Sequence, residues 1–191
     1  VNTKYRFGFT GTLDGSQTHK LVLEGLFGPV YQTVTTKKLI DDKHLADFKI
    51  QCITLKYNDN IKKIAKDYKY QDEIDFLINY EPRNKFISTA TIMQKGNTLV
   101  LFHIIDHGKA IHDLILTQKD KDRKLFFVYG GTDAETREQI RAIAETESNS
   151  IIVASFGTFS TGVNIRNLHN IIFASPSKSK IRNLQSIGRG L

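Results

Sequence analysis

Residues 151–165 read Ile-Ile-Val-Ala-Ser-Phe-Gly-Thr-Phe-Ser-Thr-Gly-Val-Asn-Ile, and the chain closes with Gln-Ser-Ile-Gly-Arg-Gly-Leu at 185–191. An apolar, β-branched run, Ile151 to Ala154, feeds a loop of glycine and small hydroxyl residues. A second apolar run, Ile171 to Ala174, follows, and then a basic segment and a helix that presents Arg189. Strand, small-residue loop, strand and arginine-bearing helix form a layout suited to gripping phosphates.

Outward from that stretch the same beat continues. Thr98 to Ile105 is a near-continuous apolar run, the signature of a strand buried on both faces of a parallel sheet. Leu125 to Tyr129 is another, and Gly130-Gly131-Thr132-Asp133 leads from it into a helix with Thr132 or Asp133 as cap and Arg137 and Arg141 on its outer side. The segments 98–105, 107–117, 125–129, 134–145, 151–155, 171–174 and 179–189 alternate strand and helix, which predicts an α/β fold with a parallel sheet flanked by helices. Ligands bind at the carboxyl ends of such strands. His103, Thr132, Ser155, Thr158 and Gly162 all fall just after strands.

The amino-terminal part is less regular. Tyr5 to Thr10 predicts a short strand closed by a turn over 11–16, and Thr18 to Leu26 a helix stopped by Gly28-Pro29. Val30 to Thr35 and Lys49 to Tyr57 alternate like strands, with a short helix and loop over 37–48 between them. From Ile61 to about Met93 the pattern is helical, broken near Glu81-Pro82-Arg83. Asp106 is the expected cap of the helix that contains 111–116.

The 191 residues suit one domain with an adequate core, and 27 Lys and Arg against 20 Asp and Glu leave a net charge of +7. A basic surface attracts polyanions through counterion release, which makes nucleic acid the first partner to consider. Cys52 is the single cysteine, so a disulfide framework is excluded and a cytoplasmic setting is expected. No run reaches the length of a membrane span. A start at Val1 and an end two residues after Arg189, inside an expected helix, read as a fragment of a longer protein.

The pair Ala-Ser-Phe-Gly-Thr-Phe-Ser-Thr-Gly-Val-Asn-Ile, 154–165, and Gln-Ser-Ile-Gly-Arg-Gly, 185–190, resembles motifs V and VI of superfamily 2 helicases. With Phe-Gly-Phe-Thr-Gly-Thr-Leu-Asp-Gly-Ser at 7–16 and the segment 25–48, the chain is similar to the UvsW-type recombination helicases of T-even-like bacteriophages over nearly its whole length. The resemblance implies a second, carboxyl-terminal RecA-like domain over 18–191, truncated at its end, preceded by a remnant of the first RecA-like domain over 1–17. It implies an ATP-dependent DNA helicase acting on branched DNA in recombination and repair, using ATP and Mg2+ in the longer protein.

By the same resemblance Gln185 and Arg189 match motif VI, with Arg189 as the arginine finger, and Gly162 and Asn164 match motif V positions near the nucleotide. Ser155 and Thr158 would face the DNA backbone and the Gly131-Thr132 turn would touch the tracking strand, while His103 joins the expected DNA-binding residues by its place just after a strand. Thr10-Gly11-Thr12 resembles motif III, which couples hydrolysis to strand separation. The second arginine usual in motif VI would be residue 192, beyond the chain.

Two tempting features fail on context. Gly108-Lys109-Ala110 lacks the first glycine of a phosphate loop, since His103 stands there, and Ala110 replaces the Ser/Thr that meets magnesium. Asp72-Glu73-Ile74-Asp75 sits in a helical pattern after the motif III segment and reads as a solvated helix face. No metal cluster emerges, because His103, His107 and His112 do not share a face. Without those two motifs the chain alone is expected to hold no nucleotide and to be inactive. A basic DNA-binding or interaction module lacking any ATPase partner, and the helicase subunit of a restriction enzyme, are the rival readings.

Overall fold

A computed structural model describes residues 3–9, 17–160, 165, 167–176, 179, 183 and 186–188. The chain divides into two compact units, 1–49 with 178–189 and 191, and 50–177 with 190. In the first unit, α1 (Gln17–Phe27) ends at Gly28, whose φ of 86° suits a residue without a Cβ and whose N–H donates to Glu24 O at 2.9 Å. α2 (Thr36–Asp41) is capped by Thr35, whose hydroxyl accepts from Lys38 N–H at 3.3 Å. Residues 183 and 186–188 are helical.

The second unit carries the sheet. Three helices lead into it: α3 (Asp59–Ala65), α4 (Tyr70–Asn79) and α5 (Glu81–Met93), the last with proline in its first turn. Four parallel strands follow, β1 (Thr98–Phe102), β2 (Leu125–Val128), β3 (Ile151–Ser155) and β4 (Asn170–Phe173), in the order β2-β3-β1-β4. Helices α6 (Ile105–Gln118), α7 (Ala134–Thr146) and α8 (Phe156–Ser160) alternate with them.

The side-chain period of two sorts the core onto the two faces. Leu99 and Leu101 of β1 join Ile152 and Ala154 of β3 with Ile140 and Ala144 of α7 on one face. Val100, Phe102, Ile151 and Val153 meet Ile87 of α5 and Ile111 and Ile115 of α6 on the other. The central strands β1 and β3 are therefore buried on both sides, whereas the edge strands β2 and β4 are mostly half-buried. This is the parallel, helix-flanked sheet expected from the apolar runs.

Several local expectations are corrected. Residues 3–9, 30–35 and 49–57 form no strand, because alternation marks a face and a strand also needs a ladder partner. Helix α6 starts at Ile105, so Asp106 lies in its first turn, favourable to the dipole, and Ile104 is the N-cap. Gly108 is interior to α6, and a Cβ there would meet the Phe102 ring at 2.5 Å; its small size serves helix-to-sheet packing. Asp72 belongs to α4, where its carboxylate accepts from Lys69 N–H at 3.1 Å.

Candidate nucleic-acid and nucleotide interface

The register brings the carboxyl ends of the strands to one edge: Phe102 pairs with Ser155, Val128 with Ala154, and Leu101 with Phe173. His103, the turn 129–132, Ser155 to Thr158, and Ala174-Ser175 therefore emerge together. His103 is exposed, its ring set edge-on to Phe156 with centroids 5.9 Å apart at 82°. Ser155 caps α8 by accepting from Thr158 N–H at 3.3 Å, and the two hydroxyls lie 2.8 Å apart. Thr158 is only 4% exposed, so its expected orientation toward a DNA backbone is not what this geometry presents; Ser155 is the more accessible of the two.

The turn after β2 is closed by Thr132, whose N–H donates to Tyr129 O at 2.9 Å and whose hydroxyl accepts from Tyr129 N–H at 3.1 Å. Gly131 lies under the Tyr129 ring, and a Cβ there would meet it at 2.6 Å. Asp133, not Thr132, caps α7 by accepting from Thr136 N–H at 2.8 Å, and this bond is the first cause holding its carboxyl below the usual range. With Glu135 also in the first turn, the α7 terminus is already neutralised and makes a poor phosphate seat.

The positive charge lies one turn further on. Arg141 is bound by Glu138 and by Glu145, which keeps it firmly protonated. Arg137 meets no carboxylate among the described residues; its Nε donates to Asp133 O at 3.4 Å. Both arginines are half-buried and line a shallow concavity with Ala154, Thr158 and Ile165, and do not stand on an outer helix face. The sequence holds the signal for this. Arg141 has Glu138 and Glu145 at helical spacing, whereas the one acid spaced for Arg137, Asp133, is taken by the cap.

Behind the edge lies a buried polar cluster that no local pattern announces. Arg83 donates to Ala174 O at 2.5 Å, and His107, 2% exposed, lies between Ser175 and Asn84. Burial first, and the Arg83 charge second, push the His107 imidazole down to about 4. An unfolded histidine titrates near 6.5, so between the two values the unfolded chain binds more protons and stability rises with pH. The contribution is present above about pH 6.5 and is lost as pH falls toward 4, roughly 3 kcal/mol in all. Urea midpoints measured from pH 7 to pH 4.5 should fall accordingly, and His107→Gln should flatten the curve. An unchanged slope in that variant would assign the loss to other groups.

Gly162, Asn164, Gln185 and Arg189, and the coupling residues Thr10, Gly11 and Thr12, lie outside the described residues. Among the described residues no group of three or more His, Cys, Asp or Glu could hold a metal ion. Residues 108–110 lie inside α6 and 72–75 inside α4, so neither segment forms a phosphate loop or a strand-end carboxylate pair. No described helix is long and apolar enough to cross a membrane.

The chain belongs to the family of helicase conserved C-terminal domains, whose model matches residues 82–191, and its parallel sheet is the RecA-like fold of superfamily 2 helicases. It is 39% identical over 193 residues to the ATP-dependent DNA helicase uvsW of Enterobacteria phage T4, an alignment that takes in all of this chain. The crystal structure of T4 UvsW matches with a TM-score of 0.62 at 41% identity, over 71% of this chain and 27% of that one. The chain spans 38% of the length of its T4 relative.

Proposed function

We propose that this chain is the second motor domain of an ATP-dependent superfamily 2 DNA helicase that acts on branched DNA in recombination and repair. The observation that carries the reading is the convergence of His103, the 129–132 turn and Ser155 on one sheet edge, in a chain of helicase-domain family. The DNA backbone runs along that edge. Arg137, which meets no carboxylate among the described residues and lines the same concavity as Thr158, supplies a phosphate contact that complements the hydroxyl and backbone groups.

Nucleotide is shared with a first RecA-like domain encoded in cis. When bound, ATP with Mg2+ supplies the phosphoryl group whose transfer to water drives the motor. This chain's part is to reach across with Gly162, Asn164 and Gln185 and to place Arg189 against the charge that develops on that group. Residues 1–17 complete the first domain, with Thr10-Gly11-Thr12 as its coupling element. Tyr5, Phe7 and Phe9 support this: 70, 78 and 96% exposed, they leave aromatic surface uncovered that a first domain would bury.

ATP hydrolysis should be measured with and without forked DNA, using this chain together with its first domain. DNA-stimulated turnover is the expected result. A folded pair that binds DNA and never turns over ATP would favour the non-catalytic DNA-binding module. For the edge itself, Arg137→Ala should weaken binding evenly across DNA sequences and lower the slope of log affinity against log salt by about one. A slope that does not move would remove Arg137 from the phosphate track.

A further inference from the structure

Four hydrogen bonds run in one direction behind the carboxyl edge. His103 N–H donates to Ser175 Oγ at 3.0 Å, and Asn84 Nδ2 donates to Ile78 O at 2.8 Å. Those two ends fix the middle, because a backbone N–H can only donate and a carbonyl can only accept. Asn84 must turn Oδ1 toward His107 Nε2, 3.1 Å away, so Nε2 carries the proton, and Arg83 Nη1, farther off at 3.5 Å, lies beside it as a neighbouring charge and not as its donor. His107 Nδ1, 2.9 Å from Ser175 Oγ, is then the acceptor of the Ser175 hydroxyl. Ser175, His107 and Asn84 are 4%, 2% and 4% exposed, so each bond is made out of water and none has an alternative partner in solvent.

We propose that Ser175, His107 and Asn84 are positioning residues for the DNA contact made by His103, tying the exit of β1 to the exit of β4. The inference rests on the reading of His103 as a DNA-backbone residue. His103 is the first residue past Phe102, where the β-ladder no longer holds the chain, and its N–H is held by Ser175 Oγ. Ser175 in turn follows Ala174, which is bonded to Leu101 O at 2.9 Å and held by Arg83. The relay thus sets how His103 leaves the sheet, and the distance between two strand exits that a single phosphodiester stretch would cross.

The molecule contains its own control. At the amino end of β1, Asn97 organises a comparable buried network on Ala144, Glu147, Asn167 and Ser150, with no expected DNA-binding residue beside it. If the carboxyl-edge relay served stability alone, damage at either end would have the same effect on DNA.

The test uses this chain and a fluorescently labelled forked DNA, with anisotropy and thermal melting read on every variant. Ser175→Ala and His107→Leu should weaken DNA binding about five- to tenfold. His107→Asn, which returns an acceptor near the place of Nδ1, should stay within about twofold of wild type. Asn97→Ser should lower the melting temperature at least as far as Ser175→Ala and leave affinity unchanged. If Ser175→Ala binds DNA as wild type does, or no more weakly than Asn97→Ser, while His103→Ala is impaired, the relay is overturned and the His103 contact stands. If His103→Ala itself binds normally, both are overturned.

Discussion

Arg189→Ala, made in the protein that joins this chain to its first domain, is expected to lower DNA-stimulated ATP turnover by about 10³-fold, with DNA affinity little changed. The size follows from the chemistry. Transfer of a phosphoryl group to water spreads negative charge over the equatorial oxygens, and an arginine brought across a domain cleft meets that charge only in the transition state. Arg189→Lys should recover little, because a point charge does not reproduce the planar fork of the guanidinium. Single-turnover hydrolysis at saturating ATP and DNA checks this directly. A loss below about tenfold would mean that Arg189 is not the arginine finger.

Asn97→Ala is expected to remove about 3–4 kcal/mol, a large share of a domain's net stability. The Asn97 side chain is fully buried, and the two N–H groups of its amide are shared among three carbonyls in reach, Ala144 at 2.9 Å and Glu147 and Asn167 at 2.7 Å each. Its Oδ1 accepts from both the backbone and the hydroxyl of Ser150, each at 2.8 Å. Truncation strands these groups inside the protein, where each unmade bond carries its full desolvation cost. For a domain of this size the melting temperature should drop by roughly 10 °C. Asn97→Asp should fare no better, since a carboxylate cannot donate to carbonyls. Calorimetry showing a drop of under about 3 °C for Asn97→Ala would mean that water or relaxation satisfies the stranded groups.

What the sequence disclosed and what it hid divide along a physical line. Strands β1 and β3 were legible because a strand buried on both faces must be apolar at every position, and 98–102 and 151–154 are nearly so. That parallel strands end together made the shared edge of His103, Thr132 and Ser155 legible too. The segments 5–9, 30–35 and 49–57 misled because alternation records an apolar face and carries no information about a neighbour. The relay was invisible: His107 meets a serine 68 residues later and an asparagine 23 residues earlier, and no spacing rule reaches so far. For Arg137 the signal was local: the one acid at helical spacing from it, Asp133, is the cap of its own helix.

The junction of β3 and α8 has a mechanical consequence. The strand's last residue is Ser155 and the helix begins at Phe156, with no connecting residue between them, and the Ser155–Thr158 hydroxyl pair stitches the corner. A loose loop at that point would absorb displacement by bending its own torsions. Here the corner has no slack, so a push on the small-residue segment is delivered to the central strand as a push on the sheet. Under the proposed motor role, that is a joint without backlash.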